Sequence, residues 1–256
     1  MTLIAHISDL HFGADDPKVV DALRIELREN PPDLVAVSGD LTQGARRWEF
    51  RAARAFLDSL GAPVLAVPGN HDITPYDLAE RFFNPYRRWR ALIAPETEPI
   101  WRDDRVAVLG LNTAHRAGLH WDWSRGRVSG GALERLLARL ASIPPKLRRV
   151  IVAHHPLMPP ENAPRMVVAG KARRALDALA AAGVDVVLSG HVHREYTRRG
   201  LGDGCPLIVQ ASTATSFRLR GEPNAYNRIT FAADGEPVVE TRVWTGSDWR
   251  SGEVAR

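Results

Sequence analysis

Short apolar runs rich in Val, Ile and Leu alternate along the chain with segments whose apolar residues recur at helical spacing, the pattern of strands and helices in turn. "TLIAHIS" predicts a first strand. In "DPKVVDALRIELREN", Val19, Val20, Leu23 and Leu27 share one helical face, and Pro31-Pro32 ends the helix. "DLVAVSGD" is almost continuously apolar, as a strand covered on both faces should be. "ARRWEFRAARAFLDSLG" predicts a helix with Phe56, Leu57 and Leu60 inward, and "PVLAVPGNHD" another strand. Residues 75–93 predict an aromatic-rich helix broken or kinked at Pro85, with Phe82, Phe83, Tyr86 and Trp89 read as core, or as a dimer contact if exposed. A strand ("RVAVLGLNTA"), a helix ("GGALERLLARLASI"), a strand ("RRVIVAHHP"), a helix ("KARRALDALAAAG") and a strand ("VDVVLSGHVH") follow. After that the pattern changes. "PLIVQAST", "YNRITFAA" and "PVVETRVW" predict strands with no helix between them, expected as a C-terminal meander that adds to or covers the sheet. No linker, repeat or low-complexity tract interrupts the chain, so residues 1–256 are expected to form one domain.

Polar residues collect where the apolar runs end. "SDLH" supplies Asp9 and His11, "SGD" supplies Asp40, "GNHD" supplies Asn70, His71 and Asp72, "HHP" supplies His154 and His155, and "GHVH" supplies His191 and His193. Six of the nine histidines lie in these clusters. The carboxyl edge of a parallel sheet is where α/β proteins bind ligands. Alternation along an extended chain would point His191 and His193 the same way. Glycine before Asp40, Asn70 and His191 would let the backbone turn sharply over that edge.

Imidazoles joined by carboxylate and amide oxygens, with no thiolate, make a mixed N/O site suited to Mn, Fe, Zn, Co or Ni. More than four candidate ligands exceed what one tetrahedral zinc uses, so two ions are implied. Such a pair can clamp the attacking and leaving oxygens of an in-line displacement at phosphorus and make hydroxide available at neutral pH, with an aspartate bridging through its two carboxylate oxygens.

Composition narrows the setting without changing this picture. The net charge of +4 rests on arginines spread over many segments, with lysine only at 18, 146 and 171, which reads as compositional bias and not as a nucleic-acid surface. Apolar stretches are too short for a membrane span. The N-terminus lacks a signal-peptide pattern, and the single cysteine, Cys205, cannot close an internal disulfide, so a cytoplasmic protein is expected.

The ordered set Asp-x-His, Gly-Asp, Gly-Asn-His-Asp, His-His and Gly-His-x-His, spanning residues 9 to 193, resembles the calcineurin-like metallophosphoesterase superfamily. Within it, "HISDLHFG", "VSGDLT", "VPGNHD" and "SGHVH" look most like the bacterial class III cyclic-nucleotide phosphodiesterases and their glycerophosphodiesterase relatives. The resemblance implies an α/β fold, a four-layer αββα sandwich of two mixed β-sheets flanked by helices. It implies two divalent or trivalent metal ions (Mn, Fe or Zn), one held by Asp9, His11 and His193, the other by Asn70, His154 and His191, with Asp40 bridging. His71 would contact phosphate and protonate or stabilise the leaving oxygen, Asp72 would orient His71, and His155 would stand behind the ligands.

The activity so implied is hydrolysis of small phosphodiesters, cyclic nucleotides or glycerophosphodiesters, by a metal-bridging hydroxide. Alternatives are a pyrophosphate-bond hydrolase of a nucleotide-linked sugar or lipid, a nuclease, or a non-catalytic metal-binding scaffold. Two loops are candidates for substrate contact. In "HRAGLHWDWSRGR" (115–127), Trp121 or Trp123 would stack on a base or pack an apolar group. In "TATSFRLRGEPNAYN" (213–227), Arg218, Arg220 and Asn227 would reach phosphate. A homodimer is a further possibility.

Overall fold

In the computed structural model, which describes residues 1–115, 124–200, 202 and 204–252, the first strand, β1 (Thr2–Ile7), lies at the heart of a sheet. The elements that follow are α1 (Pro17–Glu29), β2 (Leu34–Val37), α2 (Arg47–Asp58), β3 (Val64–Ala66), α3 (Leu78–Phe83), α4 (Arg87–Leu92), β4 (Ile100–Arg102) and β5 (Val106–Leu111). Then come α5 (Gly130–Ala141), β6 (Arg148–Ala153), α6 (Ala172–Ala181), β7 (Val186–Ser189), β8 (Tyr196–Arg199), β9 (Leu207–Gln210), β10 (Ala225–Phe231), β11 (Val238–Trp244) and β12 (Trp249–Ser251). One sheet runs β12-β11-β10-β1-β2-β3 and the other β4-β5-β6-β7-β9-β8. Both are mixed: β1, β2 and β3 are parallel, as are β5, β6, β7 and β9, with antiparallel strands outside them.

Three apolar layers hold the stack. Ile4, Leu34, Ala36 and Leu65 of the first sheet meet Val108, Val150, Val152 and Leu188 of the second. On the outer face of the first sheet, Ile7, Val35 and Val37 pack on Val19, Leu23 and Leu27 of α1 and Phe50, Phe56 and Leu57 of α2. On the outer face of the second, Leu109, Ile151 and Val187 pack on Leu133, Leu136 and Leu140 of α5 and Ala175 and Leu179 of α6. The result is helices, sheet, sheet, helices. Each of these buried Val, Leu, Ile or Phe side chains stabilises the fold by about 1.5–3 kcal/mol relative to exposure.

Local chemistry sets the element ends. Asp16 accepts from Lys18 N at 2.9 Å ahead of Pro17, and so caps α1. The aromatic segment breaks at Asn84-Pro85 into α3 and α4, as Pro85 predicts. Its aromatic side chains divide: Trp89 is fully buried and Tyr86 partly so, whereas Phe83 is 88% exposed, which corrects the reading of all of them as core.

The tail also departs from the expected meander. β10, β11 and β12 do form one beside β1, but β9 crosses to the second sheet and lies parallel to β7. Ile208 and Val209 explain why: they bury apolar side chains on opposite faces, which suits an interior strand. The strands not anticipated, β4, β8 and β12, are all short edge strands. An edge strand needs no apolar alternation to signal it.

Candidate metal centre

β1, β2 and β3 from one sheet and β6 and β7 from the other deliver their carboxyl ends to a single point. The exits are laced together, with Asp9 N donating to Gly39 O at 3.1 Å and His11 N to Asp40 O at 3.0 Å. Five residues there take left-handed backbone: Asp9 (φ 53°), His11 (47°), Asp40 (52°), His191 (78°) and His193 (55°). Asp and His tolerate that region better than most residues, and such conformations cluster at functional sites. The strand alternation expected for "GHVH" is therefore corrected. The chain turns after β7 ends at Ser189, and His191 and His193 reach different neighbours. Gly39 makes the expected sharp turn at φ 91°, whereas the other two glycines act through close approach: a Cβ on Gly69 would collide with Asp40, and one on Gly190 with Ser8 Oγ and Asp9 Oδ2.

Asp9, His11 and His193 form one group, all buried. His193 Nε2 lies 3.1 Å from Asp9 Oδ1 and 3.1 Å from His11 Nε2. In a second group, His154 Nε2 lies 3.1 Å from Asn70 Oδ1, and the His154 and His191 rings are 5.1 Å apart between centroids. Asp40 stands between the groups. Its Oδ2 is 3.8 Å from His11 Nε2 and 3.3 Å from His154 Nε2. Its Oδ1 accepts from His71 N at 2.8 Å, and Oδ2 is the oxygen that lies near both groups.

The donor set fits a cation pair. Asp9 Oδ1 is buried without a hydrogen-bond partner, while Oδ2 accepts from Ser8 Oγ and His191 N. His154 donates from Nδ1 to Ser38 O at 2.7 Å, which leaves a lone pair on Nε2 facing two oxygens. Lone pairs and carboxylate oxygens converging in a dry site repel unless something positive sits among them. Protonation shows the same demand. Burial lowers the pKa of His154, but Asp40 outweighs it and lifts the ring to about 9. Burial raises the Asp9 carboxyl, yet His193 and His11 hold it well below the usual range. Burial, then the charge of His154, push His191 down to about 4.

Around the groups, His71 lies edge-on to His11 with centroids 4.8 Å apart. Its Nδ1 donates to Gln43 O at 2.6 Å, and its Nε2 accepts from Arg218 Nη1 at 3.2 Å. Asp72 does not orient it, contrary to expectation. The Asp72 carboxylate is saturated by Leu41 N, Thr42 N, Thr42 Oγ1 and Gly69 N, and so clamps the exits of β2 and β3. Burial, then the nearby Asp40 charge, raise Asp72 to about 7. His155 lies in one cluster with His154 and His191, their candidate ligand atoms within 4.8 Å of one another, and its ring nitrogens are held, Nε2 donating to Ser124 O and Nδ1 accepting from Thr113 Oγ1 at 2.9 Å each.

Of the loop candidates, Arg218 is the one the structure brings to the site, since its carbonyl also accepts from His193 Nδ1 at 2.6 Å. Arg220 is exposed in the same turn, near enough for its charge to oppose protonation of His193. Asn227 is a correction: it is buried in β10 and bonds Thr241 Oγ1 and Gln210 O. Trp121 and Trp123 lie outside the described residues. Gln43 and Thr113, which hold His71 and His155, carried no signal in the sequence, because a side chain or carbonyl that serves another residue needs no motif of its own.

Comparison with known proteins adds an independent line. A family model described as calcineurin-like phosphoesterase matches residues 2–195. A glycerophosphodiester phosphodiesterase of Enterobacter lignolyticus is 39% identical over 82 residues, a match covering 27% of this chain and 29% of that relative's length. A "Probable cyclic nucleotide phosphodiesterase" of Synechococcus sp. is 27% identical over 262 residues, covering 92% of this chain and 90% of the relative. Among solved structures, a dimetal phosphatase from Danio rerio superimposes with a TM-score of 0.68 at 15% identity, covering 93% of this chain and 98% of that one. A purple acid phosphatase from yellow lupin gives 0.73 at 13% identity, covering 98% of this chain and 52% of the other. Similarity at these identities speaks to the fold alone.

Proposed function

The chain belongs to the calcineurin-like phosphoesterase family and is a metal-dependent phosphoric ester hydrolase, and from that premise we propose that it hydrolyses small phosphodiesters at a dinuclear centre. The observation that carries this reading is Asp40 Oδ2, which faces both His11 and His154 and so sits where two ions could share it. Asp9, His11 and His193 would hold one ion, Asn70, His154 and His191 the other. Two ions so bound supply Lewis acidity to phosphoryl oxygens and lower the pKa of water.

The protein's own groups do the rest. A water oxygen forms the new bond to phosphorus, and the bond from phosphorus to one alcohol oxygen breaks with its electron pair on that oxygen. His71 Nε2, which accepts from Arg218 Nη1 in the structure, would hand that oxygen a proton, balancing the one that the attacking water gives up. The Gln43 carbonyl fixes the ring through Nδ1, which keeps Nε2 turned inward. Arg218, with a guanidinium beside His71 Nε2, binds a phosphoryl oxygen by charge-assisted hydrogen bonds, and Arg220 adds positive potential at the rim.

The test is hydrolysis of bis(p-nitrophenyl) phosphate against p-nitrophenyl phosphate by metal-stripped protein reconstituted with Mn, Fe, Zn or Co. A metal-dependent preference for the diester, lost in Asn70→Ala, is the expected result. No turnover of either ester with metal bound would defeat the reading.

A further inference from the structure

Helix α3 is built inside out. Its two charged residues, Glu80 and Arg81, are buried, whereas Leu78 and Phe83 are 53% and 88% exposed. Leu78 and Phe82, like Ala79 and Phe83, stand four positions apart, so the four share one helical face, and all are exposed. The inversion is fixed from within. The Glu80 carboxylate pairs with Arg87 Nη2 and Arg88 Nε at 2.8 Å each, and Arg81 Nη1 donates to Ile73 O at 3.2 Å and Thr74 O at 3.1 Å. Rolling the helix to bury its apolar face would strip a carboxylate and a guanidinium of these partners, so the structure holds that face toward solvent.

The face continues on to α2. Arg88 Nη1 donates to Ala45 O at 2.8 Å, which fastens the start of α2 beside α3 and α4, and Tyr76 lies against Gly44 with Arg46 over its ring at 5.2 Å from the centroid. Trp48 and Tyr76 are both exposed, which adds two large side chains to the same surface. A patch of this kind on adjoining elements marks an interaction site. Charge identifies the partner. Arg46, Arg47, Arg51 and Arg90 are exposed around it, and among the described residues none of the four forms an ion pair. The acids beside them are engaged, Asp77 and Glu80 by Arg88 and Asp58 by Arg54. A second copy of this chain would set the same arginines against each other across a two-fold contact. An anionic bilayer answers both features, since arginines sit at its headgroups while Trp, Tyr and Phe sit at the boundary with the acyl chains.

We infer that this face docks the protein on an anionic lipid surface, with Leu78 and Phe83 inserted below the headgroups and Arg46, Arg47, Arg51 and Arg90 against the lipid phosphates. The docking is peripheral: among the described residues no helix is long and apolar enough to cross a membrane. Gln43, whose carbonyl holds His71, directly precedes Gly44, so the docked face adjoins the mouth of the metal centre. The inference does not depend on the phosphodiesterase reading, because binding is measured without turnover.

The experiment sediments the full, metal-loaded chain with vesicles of phosphatidylcholine alone and with vesicles that contain about a third phosphatidylglycerol. Binding is expected to the anionic vesicles only, and it should fall as salt is raised from about 0.1 M to about 1 M. Phe83→Ser should weaken it by about tenfold or more, and Arg47→Gln and Arg51→Gln by about fivefold each, with melting temperatures at the wild-type level. No binding to either vesicle, equal binding to both, or full binding by Phe83→Ser would overturn the inference. A dimer in sedimentation velocity that Phe83→Ser dissociates, with no vesicle binding, would assign the face to a second copy and overturn it as well.

Discussion

His11 and His193, 182 positions apart in the chain, point their Nε2 atoms at each other across 3.1 Å. Because His193 donates from Nδ1 to the Arg218 carbonyl, its Nε2 offers a lone pair, and Asp9 Oδ1 converges on the same point. Three electron-rich atoms converging at one buried point favour a bound cation. Chelation is therefore expected to lower the melting temperature, and added Mn or Zn to raise it again by adding about 2.7 kcal/mol of stability at a hundredfold excess over Kd. Differential scanning fluorimetry across a metal titration checks this, and a melting temperature indifferent to chelation would contradict it.

Asp40 faces both groups while Asn70 and Asp9 each face one. Elemental analysis should then show Asp40→Ala losing most of both ions, and Asn70→Ala or Asp9→Ala retaining about one of the two. Equal losses in all three variants would mean that the two groups are not separate sites.

His71 faces the centre without belonging to the proposed ligand set. His71→Gln should keep the metal content and lower kcat by roughly 10²–10⁴ for a diester with an alkyl leaving group, and by much less when the leaving group is p-nitrophenolate. A variant equally impaired on both substrates would point to a role in binding and not in proton delivery.

His6 is buried on β1, with Nε2 bonded to Ser38 Oγ at 2.8 Å and Nδ1 without a partner. Burial depresses it from 6.5 to about 3, only partly offset by Asp9. The unfolded chain therefore takes up this proton first. Its contribution is complete above pH 6.5 and is lost as pH falls towards 3, at up to about 1.4 kcal/mol per pH unit. In metal-free protein, urea midpoints between pH 7 and 4 should fall more steeply for the wild type than for His6→Gln. Parallel curves would show that His6 does not titrate on unfolding.

Gly190→Ala and Gly130→Ala make a matched pair. A Cβ at 190 would strike Ser8 Oγ and Asp9 Oδ2, whereas one at 130 meets nothing within 4 Å, at the first turn of α5. The first should cost metal binding and stability, on the scale of the ~1–3 kcal/mol of overpacking, and the second should change the melting temperature by no more than a degree or two.

The strand-end motifs made Asp9, His11, Asp40, Asn70, His154, His191 and His193 legible because a polar side chain directly after an apolar run has few purely structural reasons to be there, and the structure draws them together. The layers were legible for the same cause, since "DLVAVS" and "RVAVLG" mark strands buried on both faces. What escaped was set by tertiary neighbours. Which ring nitrogen carries a proton depends on carbonyls such as Ser38 O and Gln43 O, and the transfer of β9 to the second sheet depends on a vacancy beside β7. Asp72 was misjudged because adjacency in sequence suggested a partner, while backbone amides across the gap between strands had the stronger need of its carboxylate.

β1 leaves a ribosome ahead of every other strand of these two sheets and is among the last of them to be enclosed. One of its edges pairs with β2 within the first 37 residues, but the other pairs with β10, whose register runs from Thr2 opposite Phe231 to His6 opposite Asn227. Until nearly the whole chain has emerged, that apolar edge offers unpaired amides and carbonyls to any neighbouring strand. A chain truncated before residue 225 should therefore lose more than its C-terminal strands: it would carry a permanently open edge at its centre and be prone to aggregate during synthesis, however complete its motif residues remained.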